Sequence, residues 1–259
     1  MTTPPIDPTL FASIFAWVWA TYGERIATRT TKEVWDRVEW HLAAKRYASK
    51  VKTLYGTTRI LGKPRPIPLT GEGGIYTDVH ILDKPTALRR VTIEELEKLD
   101  SEPRTRHRFD ERRDGLKVFR KKDKLFVLGK PGAGKTTFCR YVALQALDGH
   151  IKKVPIFVTL KELADSGKSV MEFIIAQFDI CNFPDAQPFV EQLLRAGKAI
   201  VLFDGLDEVQ QANDKQSAVI ADVRNFVNKY EQSHYLMTCR IAATDYTFEH
   251  FTYVEMADW

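Results

Sequence analysis

From residue 124 onward the chain alternates short, continuous apolar runs with stretches of helical periodicity. The runs are LFVLG (125–129), VPIFVTL (154–160), AIVLFDG (199–205), HYLMTCR (234–240) and TYVEMAD (252–258), with helical patterns over 135–147, 168–179, 187–196 and 216–230 between them. A strand that is apolar at every position has both faces covered, and an intervening helix supplies the crossover that parallel pairing requires. The predicted fold class is therefore α/β, with a doubly wound, parallel, five-stranded sheet.

Upstream the pattern differs. After Pro8, residues Phe11, Ile14, Phe15, Val18 and Tyr22 recur at helical spacing, with Trp17 and Trp19 off that stripe. A first helix with more than one apolar side is expected, suited to packing on the rest of the chain or to self-association, a partner protein or a lipid headgroup layer. A second helix, capped at Thr30 or Thr31, is expected to turn Val34, Trp35, Val38, Leu42 and Leu54 inward. Residues 1–55 thus read as a small helical N-terminal domain. Residues 56–123 read as a connecting region, first rich in Pro and Gly with a short strand near Tyr76 to Leu82, then basic. Residues 124–259 form the predicted core.

Composition narrows this picture. A chain of 259 residues with 44% hydrophobic content is long enough for one main core and an appendage. Residues 104–124 carry ten Lys or Arg against four Asp or Glu, a surplus of six that exceeds the +4 of the whole chain. Only Phe109 and Phe119 are available there for base stacking and acids are interleaved, so a solvated linker face is favoured over nucleic-acid binding. Cations lying beside a downstream polyphosphate are a third reading. Cys139, Cys181 and Cys239 are widely spaced and form neither a disulfide framework nor a zinc pattern, which suits a reducing cytoplasm. The N-terminal run LFASIFAWVWA is about half the ~20 residues a spanning helix needs, and the MTTPPID before it lacks the basic start of a signal peptide. A cytoplasmic protein without a transmembrane segment is expected.

The chemistry concentrates after the first core strand. Gly129, Lys130, Pro131, Gly132, Ala133, Gly134, Lys135 and Thr136 match G-x-x-x-x-G-K-[ST], placed between a strand and a helix that continues with Thr137 and Phe138. Glycines let successive backbone N–H groups turn inward on phosphate oxygens at the positive end of the helix. In such a loop Lys135 reaches the β- and γ-phosphates and the Thr136 hydroxyl ligates Mg²⁺. The expected ligands are ATP or ADP with Mg²⁺.

A second acidic centre follows the apolar strand 199–203. Asp204 falls at the carboxyl edge of the sheet, where it is the expected carboxylate that holds Mg²⁺ through water, the Walker B role. Asp207 and Glu208 follow within one turn, and Glu208 is the preferred group to orient the attacking water. The strand YLMTCR closes on Thr238 and Arg240, and Arg240 is placed to sense the γ-phosphate.

Together GKPGAGKTTF, LFDGLDEV and LMTCR resemble the NACHT group of signal-transduction ATPases with numerous domains, whose hallmark is Asp-Gly-x-Asp-Glu after the Walker B strand. Pro155 in VPIFVTLKEL resembles the second strand of that family, and the leader around residues 54–82 resembles segments preceding the core in prokaryotic members. The resemblance implies an ADP-held inactive state, ATP-dependent opening and oligomerisation, and use in innate immune or anti-phage signalling. Members continue into helical, winged-helix and sensor regions, whereas this chain stops at Trp259 without a counterpart of the lid histidine. A fragment or a shortened protein is expected, with weak binding and slow turnover where the lid is missing.

Two other classes compete. A GTPase needs an Asn-Lys-x-Asp loop, but Asn228-Lys229-Tyr230-Glu231 ends in the wrong acid and falls in a predicted helix, and no kinase lid or acceptor base is identifiable. An AAA+-like nucleic-acid ATPase would use the cations of 104–124, and its affinity for DNA would fall steeply with salt.

Overall fold

A computed structural model of the chain describes residues 33–58, 66–71, 74, 76, 79–82, 112–183, 185–209, 215–240 and 248–257. The expected first helix, the caps Thr30 and Thr31, Phe109 and the basic residues 104–111 lie outside the described residues.

Five strands form the predicted parallel set: β5 (Lys124–Gly129), β6 (Val154–Thr159), β7 (Ala199–Asp204), β8 (His234–Arg240) and β9 (Thr252–Met256). Their order is β9-β5-β8-β7-β6, all pairs parallel. The run 199–204 is buried at all six positions, which is why it reads as a continuous apolar strand rather than an alternating one. Each parallel crossover from β5 to β8 carries helix: α3 (Lys135–Leu147), α4 (Leu160–Ser166), α5 (Val170–Asp179), α6 (Ala186–Arg195) and α7 (Lys215–Lys229). Helix α3 packs against β5, β6, β7 and β8, while α4 to α7 pack among themselves as a second helical layer. Ser169 starts α5 through a capping box with Glu172, satisfying two backbone donors reciprocally.

The sheet is larger than the five strands expected. Among the described residues it has seven strands, because β3 (His80–Leu82) pairs antiparallel with β9 and β4 (Arg112–Asp114) pairs antiparallel with β3. Both come from the stretch expected to be a connector. They are three residues long, and only Ile81 is fully buried, so neither shows the apolar run that marks the parallel strands. Two further short strands, β1 (Thr57–Thr58) and β2 (Ile67–Pro68), form a separate antiparallel pair, and α2 (Gly115–Lys121) leads into β5. Asp114 caps α2 by accepting from the Lys117 amide.

Helix α1 (Glu33–Tyr55) joins the main core rather than standing apart from it. Ala43, Ala44, Tyr47, Ala48 and Val51 share one hydrophobic cluster with the sheet and α3. Leu42 and Leu54, expected to point inward, are 43% and 53% exposed. The buried face described is made by alanines with Tyr47 and Val51, and the side chains of Val34, Trp35 and Val38 lie outside the described residues. Tyr47 anchors this contact: its ring stacks on Phe178 at 4.4 Å, and its hydroxyl donates to the Pro155 carbonyl at 2.8 Å. Burial pushes the Tyr47 phenol well above its usual range, so it stays a donor.

Tyr47→Ala is expected to lower stability by about 3–5 kcal/mol, the usual cost of truncating a buried aromatic, and Tyr47→Phe by about 1 kcal/mol. Urea unfolding followed by circular dichroism measures both. The transition should remain single, since α1 and the sheet share one core.

Candidate functional site

The carboxyl ends of β5, β7 and β8 meet at one edge of the sheet. Strand β5 ends at Gly129, and the turn that follows carries exposed Lys130, Pro131 and Gly132 and buried Ala133 into α3. Gly134 is the N-cap of α3 at φ +91°, a left-handed conformation that residues with a Cβ rarely adopt. It supplies no side-chain cap, so the amides opening the helix at Lys135, Thr136 and Thr137 lack an intrahelical partner and have no cap among the described residues. Within the turn, the Ala133 amide donates to the Lys130 carbonyl and Phe138 donates to that of Gly134. An open helix terminus with its dipole pointing outward suits an anion.

Lys135 folds over this turn. Its Nζ donates to the carbonyls of Gly129 at 2.8 Å and Lys130 at 3.0 Å. Burial lowers its pKa, with the Asp207 carboxylate pulling the other way and Arg240 adding to the fall. Lys135 therefore feels Asp207, Arg240 and Asp204 together, although Arg240 comes from a stretch of sequence separate from the two acids.

Thr136 and Asp204 also converge. The Thr136 hydroxyl donates to Asp204 Oδ1 at 3.2 Å, bringing a hydroxyl and a carboxylate oxygen from α3 and β7 to one point. Magnesium bound with phosphates takes only one or two protein oxygens of this hard type, so the donor set fits that ion. Asp204 accepts a second and shorter bond, 2.6 Å, from the Thr238 hydroxyl of β8. In the sequence Thr238 stands out only as a strand end. A threonine in a buried strand reads as an ordinary β-former, and only the register of β7 against β8 reveals its partner.

The acidic turn after β7 is held from the same strand. Gly205 sits at φ +80°, and a short 3₁₀ turn spans Leu206–Glu208. The Asp207 carboxylate accepts from the Arg240 amide at 2.9 Å and from Arg240 Nε at 2.8 Å. Asp207 is 8% exposed and Arg240 52%, so the carboxylate is sheltered while the guanidinium reaches solvent. The structure thus engages the expected catalytic Asp207 with the expected sensor Arg240. Glu208 stands exposed on the same turn, and its carboxylate has no hydrogen-bond or ion-pair partner among the described residues. The neighbouring Cys239 thiol is pushed up to about 12 by burial and by Asp207, which keeps it protonated and inert at neutral pH.

The strand order, the glycine turn and the acid turn are those of a P-loop domain, and a family model described as the NACHT domain matches residues 123–258. The chain belongs to the NACHT family. The matched span opens one residue before β5 and contains every expected site residue, from Gly129 to Arg240. NACHT domains are nucleotide-binding P-loop modules of the signal-transduction NTPase type, so a mostly parallel α/β sheet is the architecture expected of this chain. Strands β3 and β4 and helix α1 lie before the NACHT match and are built onto it. No curated protein matches the chain. Among the described residues no helix is long and apolar enough to cross a membrane.

Removing the Asp207 carboxylate deprives the Arg240 amide of its acceptor. In Asp207→Ala that amide is expected to exchange with solvent about tenfold faster or more, while amides in the centre of β8 keep their protection; native-state hydrogen exchange measures both.

Proposed function

We propose that this NACHT domain binds ATP and ADP with Mg²⁺, hydrolyses ATP slowly, and converts the nucleotide state into a change of conformation or assembly. The observation that carries this reading is the uncapped start of α3, with Lys135 folded over it and Asp204 facing Thr136. In this reading the amides of residues 132–137 receive the phosphates, and Lys135 exchanges its two loop carbonyls for β- and γ-phosphate oxygens. Thr136 and Asp204 would hold the ion, which when bound neutralises charge developing on the phosphates.

Glu208 is assigned to orient the attacking water. The choice over Asp207 is supported by the surroundings of the two carboxylates: Asp207 already accepts two bonds from Arg240, whereas Glu208 is exposed with no such partner among the described residues. Arg240 is assigned to sense the γ-phosphate. It ties the acid turn to β8, so a phosphate drawing on its guanidinium would be felt by that turn. Adenine is favoured over guanine because Asn228 and Lys229 close helix α7 instead of forming a recognition loop. Self-association or a partner protein contacting the N-terminal helices would carry the output, with innate immune or anti-phage defence as the setting the family suggests.

Lys135→Ala is expected to weaken ATP and ADP binding at least about 100-fold, since a charge-assisted contact to phosphate is lost and its desolvated partners remain. Calorimetry measures the affinity and thermal unfolding verifies the fold; an unchanged affinity would overturn the phosphate assignment. Glu208→Gln should retain nucleotide affinity and slow single-turnover hydrolysis by about 10²-fold or more. Equal turnover in wild type and variant would remove Glu208 from the role.

A further inference from the structure

Thr238 is a buried polar residue that takes no part in the roles assigned above. It is 1% exposed, and its strand neighbours Leu236, Met237 and Cys239 are fully buried. A hydroxyl in such surroundings requires partners on both its donor and its acceptor side. Both partners belong to one adjacent segment. The Gly205 amide donates to Thr238 Oγ1 at 2.9 Å, and Thr238 Oγ1 lies 2.6 Å from Asp204 Oδ1. A carboxylate can only accept, and so can the hydroxyl towards an amide N–H. The Thr238 proton is therefore directed at Asp204.

This contact is set by the sheet. Phe203 pairs with Met237 in the β7–β8 register, which brings Asp204 and Thr238, the next residues along, side by side. β8 lies between β5 and β7, so Thr238 sits between the strand that feeds the phosphate turn and the strand that carries the acid. Asp204 Oδ1 thus receives two hydroxyls, Thr136 at 3.2 Å and Thr238 at 2.6 Å, and the shorter bond comes from the residue outside the phosphate turn. When Thr136 turns its oxygen towards an ion, the Thr238 bond is the one that remains. It also fixes the backbone at Gly205, where the chain leaves the strand at φ +80°.

We propose that Thr238 is a positioning residue for the nucleotide-bound cation: its hydroxyl locks the Asp204 carboxylate and the Gly205 amide in one geometry, so that Asp204 presents its remaining oxygen lone pairs before the ion arrives. The inference rests on the nucleotide reading above. Holding a ligating carboxylate by a neighbouring hydrogen bond commonly changes metal affinity by about 10- to 100-fold. The effect belongs to the cation and not to the phosphates, which are received by the amides of another segment.

The test compares ADP affinity in Mg²⁺ with ADP affinity in EDTA, by calorimetry on the full chain. In Thr238→Val, which replaces the hydroxyl by a methyl of similar volume, the enhancement by Mg²⁺ is expected to fall about tenfold or more, while the affinity in EDTA stays at the wild-type value. Thr238→Ser, which keeps the hydroxyl, should restore the enhancement. If circular dichroism shows that Thr238→Val does not fold, Thr238→Ala is measured in its place and judged by the same ratio. A wild-type ratio in the hydroxyl-free variant, or a loss in Thr238→Ser equal to that variant's, overturns the role of Thr238. A wild-type chain that retains no ADP in either buffer overturns the nucleotide reading itself, and with it this inference.

Discussion

Asp204 and Thr136 meet although their strands are not neighbours. β8 separates β5 from β7, so the phosphate turn and the acidic strand start two sheet spacings apart, about 4.8 Å each. The gap is closed by the turn after β5, which sets Thr136, in the first turn of α3, against Asp204. The parallel register of β5, β8 and β7 is the constraint behind every contact at this edge. It aligns Gly129 with Arg240 and brings Asp204 beside Thr238, so a slip in either pairing would separate the cluster.

The intervening strand does more than fill space. Its final residues hold the segment after β7 at two points, Gly205 through Thr238 and Asp207 through Arg240. The acid turn therefore rests on β8 rather than hanging as a free loop. Its two acids differ as a result: Asp207 is sheltered and engaged, and Glu208 faces water. Adjacent carboxylates thus stand in different surroundings because one strand end holds only one of them.

Much of this was legible in the sequence, and for identifiable reasons. The turn 129–136 could be read because its glycines, lysine and threonine have fixed spacing and follow an apolar run. The five parallel strands were visible because burial on both faces leaves them almost wholly apolar. Strand β3 falls within the short strand expected near Tyr76 to Leu82, whereas β4 was not visible, because a three-residue edge strand such as Arg112–Asp114 carries no hydrophobic signature. Leu42 and Leu54 were misplaced because the alanines that share the buried face with Tyr47 and Val51 weigh little in a hydrophobic pattern, while the side chains of Val34, Trp35 and Val38 lie outside the described residues. The links of Thr238 to Asp204 and of Arg240 to Asp207 join residues more than thirty positions apart, and strand order alone brings them together.

The contact between Tyr47 and Pro155 has a consequence for how copies of this chain can meet. β6 ends the sheet on one side, and an exposed terminal strand invites another chain to add itself by backbone pairing. Here Pro155 lacks the N–H such pairing would need, and its carbonyl already accepts from Tyr47. The opposite border is β4, only three residues long and bearing the exposed charges of Arg112 and Arg113. Among the described residues, open-ended growth through merged sheets is thus resisted at both margins.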